Sequence, residues 1–177
     1  MKRTIAIVAL SICFIPVAQA QDKKLAVAAV TVDFGRPAWN KALDDPARFD
    51  LATKGKVWRL GMDYWTILDS NVPIKIAGRD IPIGLWYLGL HRSDDGSSWS
   101  LAFIDPVKAR RSRLDPFAMD TVPVDFKVSM TTEQAAGMSE KLTVTLAAQK
   151  ENMKNVTLRI SWGRLQLMTP LQVLLAN

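Results

Sequence analysis

The sequence predicts an all-β fold, an antiparallel β-sandwich or jelly-roll of about nine or ten strands. Three observations predict it. Apolar and polar residues alternate with a period of two over several stretches, which turns one face of each toward a core and the other toward water. Short runs rich in β-branched and aromatic residues recur at close spacing, separated by turn residues. No stretch of useful length carries the apolar spacing of an amphipathic helix.

The first twenty residues stand apart. Met1-Lys2-Arg3 is basic, Thr4 to Val17 is apolar, and Ala18-Gln19-Ala20 has the small-x-small pattern of a cleavage site, the anatomy of a secretory signal peptide. Its apolar part is about fifteen residues long and contains Pro16, short of the twenty or so that span a bilayer. The expected domain organisation is therefore a signal over 1–20 and a single β domain over 21–177, with no stable membrane span after cleavage. Cys13 is the only cysteine, and it leaves with the signal. No disulfide or thiolate metal site is then available to the mature part. The 157 residues that stay suffice for one packed core.

Along that domain the strands are expected at 27–33, 57–60, 65–69, 72–77, 85–91 and 99–104. They are followed by three with clear alternation: 121–131, 142–146 and 156–162. A last strand at 165–175 is interrupted by Pro170, which suits an edge or a bend. Ser70-Asn71, Ala77-Gly78-Arg79-Asp80, 93–98 and 150–155 carry turn residues. Residues 38–56 are expected to be a long irregular connection, and the one helix candidate, 132–138, is weakened by Gly137.

With Lys2 and Arg3 gone, the formal net charge falls from +6 to +4. That is too small and too dispersed for a nucleic-acid footprint. Its one basic cluster is Lys108, Arg110, Arg111 and Arg113, diluted by Asp105 and Asp115. Such a cluster reads first as a solvated loop, and second as a seat for phosphates or acidic glycans.

His91 is the only histidine, so a histidine-rich metal site is impossible and any catalytic histidine has to be this one. A Ser/His/Asp arrangement assembled in space stays open, but no nucleophile-elbow motif accompanies it. The structural reading of His91 carries more weight. Asp94-x-Gly96-x-Ser98-Trp99 partly matches an Asp-box hairpin, with Arg92 where that motif has serine or threonine. The motif braces a turn and catalyses nothing. Asp44-Asp45 and Asp94-Asp95 are adjacent pairs, and neighbours in a strand point to opposite faces. They read as turn residues, and neither loop groups enough oxygen ligands for calcium. Of six tryptophans, Trp86, Trp99 and Trp162 share faces with core residues, which leaves Trp39 and Trp65 freer to meet a ligand.

Phe34-Gly35-Arg36-Pro37, then Lys56-Val57-Trp58-Arg59-Leu60-Gly61, then Thr66 resemble the motifs of a bacterial exported family known only as a domain of unknown function, number 2911. The resemblance continues through Ile76 to Leu90 and the hairpin at Ser98-Trp99-Ser100. It implies a secreted β domain and no particular activity. The family's Asn-Glu is replaced here by Asp63-Tyr64 and its alanine by Trp65. If those polar residues form a site in relatives, that site is altered or lost in this chain.

The leading expectation is a non-catalytic binding or envelope-accessory module without a cofactor, exported to the periplasm or the exterior. Its candidate ligand residues are Arg36, Arg59, Asp63 and Trp65, and its partner is a small anionic or glycan ligand. An arginine inside Val57-Trp58-Arg59-Leu60 either meets solvent or is buried against carbonyls or a carboxylate. An anion-binding role requires both guanidinium groups to reach one pocket. The alternatives are a hydrolase using His91 with nearby aspartates, and a structural partner of another envelope protein docking through an exposed edge strand.

Overall fold

The computed structural model describes residues 4–10, 27–135 and 137–175. Twelve strands run in chain order as β1 (Thr4–Leu10), β2 (Ala28–Phe34), β3 (Val57–Arg59), β4 (Thr66–Ser70), β5 (Ile74–Ile76), β6 (Arg79–Ile81), β7 (Gly84–Arg92), β8 (Trp99–Ile104), β9 (Phe126–Thr132), β10 (Ser139–Ala148), β11 (Asn155–Gly163) and β12 (Leu165–Val173). The all-β, antiparallel expectation holds. The strands form one continuous sheet along the path β1-β2-β4-β7-β8-β9-β12-β11-β10, and β9 joins the two halves by pairing β8 on one side and β12 on the other. Beyond β2 the chain reaches the far end of this path: Trp39 N donates to Glu140 O and Leu142 N to Pro37 O. The sheet is thereby wrapped into a nearly closed barrel around its core. Of the segment read as a signal, Thr4–Leu10 is β1, paired antiparallel with β2 from Thr4↔Phe34 to Leu10↔Ala28. Cys13 and the cleavage residues lie outside the described residues.

Alternation fills the inside. Val30, Val32, Phe34, Leu68, Leu88, Leu101, Phe103, Leu158, Ile160 and Leu167 are all at most 5% exposed and belong to one cluster. Each such side chain contributes about 1.5–3 kcal/mol when fully buried. β7 and β8 are covered on their outer faces as well. There Ile104, Ala109, Met119 and Val122 form a second cluster with Val57, Trp65 and Tyr87.

The cover over that second cluster departs from the sequence expectation. Residues 121–125 are not strand, and β9 begins only at Phe126. Pro116–Thr121 is a 3-10 helix, α2 (Pro106–Arg111) holds most of the basic cluster, and α1 (Pro46–Thr53) lies in the connection expected to be irregular. All three start alike. The aspartate before each proline, Asp45, Asp105 or Asp115, accepts a hydrogen bond from a backbone N–H of the first turn, and proline fits there because its missing N–H has no partner to lose. The helix expected at 132–138 is absent among its described residues: Thr132 closes β9, and Glu133 N donates to Gln166 O.

Pro170 is not on an edge. β12 pairs β11 along its whole length on one side, and β9 and then β5 on the other. Ala77 N donates to Pro170 O, and a strand residue's N and O face the same way. The side without an N–H is therefore the β5 side, and the β11 ladder loses nothing.

Candidate functional site

β3 and β4 share one edge of β7. β3 pairs with Gly89 to His91 and β4 with Gly84 to Leu88, so residues 60–65 are an excursion looped out between them. The turn packs tightly against the chain beyond β2. Gly61 has φ +114°, and an added Cβ would come within 2.8 Å of Thr66 Oγ1 and 3.2 Å of Gly35 O. At Gly35 an added Cβ would meet Met62 O at 2.3 Å. Buried Thr66 holds the base of the excursion by donating from Oγ1 to Leu60 O. Gly35, Gly61 and Thr66, three separate pieces of the sequence motif, are thus one contact.

Beside that contact lies a cavity of about 30 Å³, whose lining includes Pro37, Arg59, Leu60, Gly61, Leu142 and Trp162. Two of these residues carry a buried donor without an acceptor among the described residues: Arg59 Nη1 and Trp162 Nε1. A buried donor left unpaired costs about 1–3 kcal/mol, more when charged. The Arg59 guanidinium also stacks on the Phe117 ring, 4.0 Å from its centroid. That contact orients the group without satisfying its hydrogen bonds.

Aromatic rings hold the wall. Trp162 makes edge contacts with Trp39 (5.0 Å between centroids) and Trp58 (5.5 Å), and Trp58 meets Trp99 and Phe49. Trp39 Nε1 donates to Asp44 Oδ1 and Trp58 Nε1 to Ala52 O. Within that trio the orphan indole is Trp162. Arg92 ties α1 to the β7–β8 hairpin by donating to Asp50 Oδ1, Thr53 Oγ1 and Gly96 O. It lies over Phe49 and Trp99. Lys54, hydrogen-bonded to Asp50, and then Arg92 hold the Asp50 carboxyl below the usual carboxylate range.

The candidate residues separate. Arg59 lines the cavity. Arg36 is exposed and fastened to its rim, with Nε donating to Leu142 O and Nη2 to Thr143 Oγ1. Asp63 is exposed at the tip of the excursion with φ +69°. Trp65 stacks flat on Tyr87, 4.7 Å away, in the second cluster. Neither lines the cavity. Trp39, the other expected platform, packs on Trp162. Trp162 itself, assigned to the core by its face, is the donor that sequence reasoning missed.

His91 is half-buried on β7, and no serine or carboxylate hydrogen-bonds to it among the described residues. Burial, then Lys127, lowers its pKa, and Asp94 opposes them only in part. In the neighbouring turn the bracing acid is Asp95. Its carboxylate accepts from Ser93 Oγ, Ser97 N and Ser97 Oγ, which holds its pKa far below the usual range. Lys108 of the basic cluster is paired with Asp125. No group of three or more His, Cys, Asp or Glu side chains among the described residues could hold a metal, and none of the described helices is long and apolar enough to cross a membrane.

Searches of curated proteins and of solved structures return no match. A family model described as "Protein of unknown function (DUF2911)" matches residues 16–171, a span that includes β2 and every residue lining the cavity. The chain belongs to this family.

Proposed function

We propose that the protein is an exported, non-catalytic binding module of the cell envelope, and that its ligand contact is the pair of donors on Arg59 and Trp162. One observation carries this reading: two buried donors lacking acceptors belong to residues of one cavity, where the family-motif residues converge. An indole N–H on an apolar cavity wall, with the Arg59 cation fixed nearby against Phe117 on the opposite face of β3, is complementary to a small anion. The volume narrows the choice. About 30 Å³ holds a water or two, or the tip of a carboxylate or phosphate, and is an order of magnitude below pockets that enclose whole small molecules. The anionic reading gains over the glycan reading on that ground. Among the described residues His91 has no oriented partner of the kind that hydrolysis needs, so the hydrolase reading has less support.

The test is a thermal-shift series with acetate, succinate and phosphate on the wild type, Arg59→Ala and Trp162→Phe. A saturable rise in melting temperature for one anion, absent in Arg59→Ala and reduced in Trp162→Phe, supports the proposal. A ligand at a hundredfold excess over its Kd stabilises by about 2.7 kcal/mol, well within reach of the method. No rise with any anion refutes it.

A further inference from the structure

We infer that the outer edge of β2 is an acceptor for an extended strand of another protein, exposed when the N-terminal segment is removed. This rests on the reading that the chain is exported and cleaved.

β2 has two sides. One pairs with β4. Ala29 belongs to that side, since its N donates to Asn71 Oδ1 and its O accepts from Asn71 N. Alternation along a strand then turns the N–H and C=O of Ala28, Val30, Val32 and Phe34 the other way, toward β1, which runs beside β10. β2 and β10 do not pair with each other along this stretch; their connection is beyond it, at Pro37 to Trp39 against Glu140 to Leu142. Between them is a slot one strand wide, and at its open end Ala28, Val30, Leu146, Val156 and Leu171 surround a small apolar cavity.

The strand seated there defines the partner. Thr4–Leu10, TIAIVAL, is seven residues long, uncharged and free of proline, and it pairs antiparallel over its full length. If cleavage follows Ala20, this strand departs and leaves four outward residues of β2 unpaired at the end of the sheet's path. An open edge of that length recruits another strand unless something covers it. The occupant expected is an extended, uncharged, proline-free segment of a partner protein, bound by main-chain hydrogen bonds.

The experiment uses the protein recovered from the cell envelope. Intact mass identifies its N-terminus, and amide hydrogen exchange is followed at Val30 and Val32. The probes are a TIAIVAL peptide with lysines added for solubility and the same peptide carrying Ala6→Pro and Val8→Pro, the two positions that face Val32 and Val30. The expected result is a chain beginning at Gln21 whose two amides exchange freely and slow at least tenfold with the first peptide and not with the second. A chain beginning at Gln21 whose amides are protected without peptide overturns the inference, because the slot has then closed on β10 or on a second copy, and dilution separates those two. Unchanged exchange with peptide also overturns it. A chain beginning at Met1 overturns the export reading instead, and β1 is then a permanent strand of the sheet.

Discussion

The indole of Trp39 occupies the space that a side chain at Gly163 would take. A Cβ added there would lie 2.3 Å from the ring, and Gly163 has φ +60°. Trp39 in turn packs edge-on against Trp162, so this glycine sets the position of the cavity wall. Gly163→Ala is expected to destabilise the fold by about 2 kcal/mol or more, from the left-handed backbone and the overlap together. Tryptophan emission should shift as Trp39 is displaced. Unchanged stability and emission would show that the ring is not held against the turn.

A stabilising change is available in β12. Thr169 is 1% exposed, and its hydroxyl has no partner among the described residues. Valine keeps the branched shape and removes a polar atom desolvated for no return. Thr169→Val should raise stability by about 1 kcal/mol, read as a higher urea midpoint at constant slope. A fall would mean that the hydroxyl is hydrogen-bonded after all.

The β5–β6 hairpin offers another. Ala77 and Gly78, its two turn residues, both have positive φ, +47° and +81°, the geometry in which asparagine followed by glycine is preferred. Ala77→Asn should gain about 0.5–1 kcal/mol. Thermal unfolding of the two proteins under one set of conditions checks it.

Acid should weaken the protein in two separate ranges. Burial first, and Lys127 second, lower the His91 pKa, so the unfolded chain takes up this proton more readily than the folded one. Stability from this group is complete above about 6.5, the ordinary imidazole value, and falls as pH drops through the lower folded value. The carboxylates of Asp50, Asp95 and Asp125 are also held low. At Asp125 burial pushes upward, and the Lys108 ammonium with the Asp105 N–H outweighs it. Their contribution is lost only below about 3.9. Urea titrations between pH 8 and 3 should show both declines, and His91→Gln should remove the first alone. Persistence of the first decline in that variant would assign it elsewhere.

The strands were legible because alternation is a property of each strand by itself: Val156, Leu158 and Ile160 face inward wherever β11 sits. The helices were not, because at eight and six residues they are too short to show a periodic apolar face. Their signal was the repeated Asp-Pro pair, a capping pattern independent of periodicity. In the site, Arg59 could be picked out as a charge inside an apolar run. Asp63 stood out as a departure from the family motif and Trp65 also as a ring without a core face, and the looped excursion carries both away from the cavity. Arg92 gave no local sign, since its partners Asp50 and Thr53 are about forty residues away.

The position of β12 has a consequence in time. It is the last of the described strands, yet β5, β9 and β11 all pair with it. During synthesis the earlier strands wait for it: the two halves of the sheet meet across a seam whose second side is made last. Such distant pairings are formed slowly. A nascent chain halted before Leu165 would hold nearly all of the fold's apolar residues and lack the strand that joins β9 to β11.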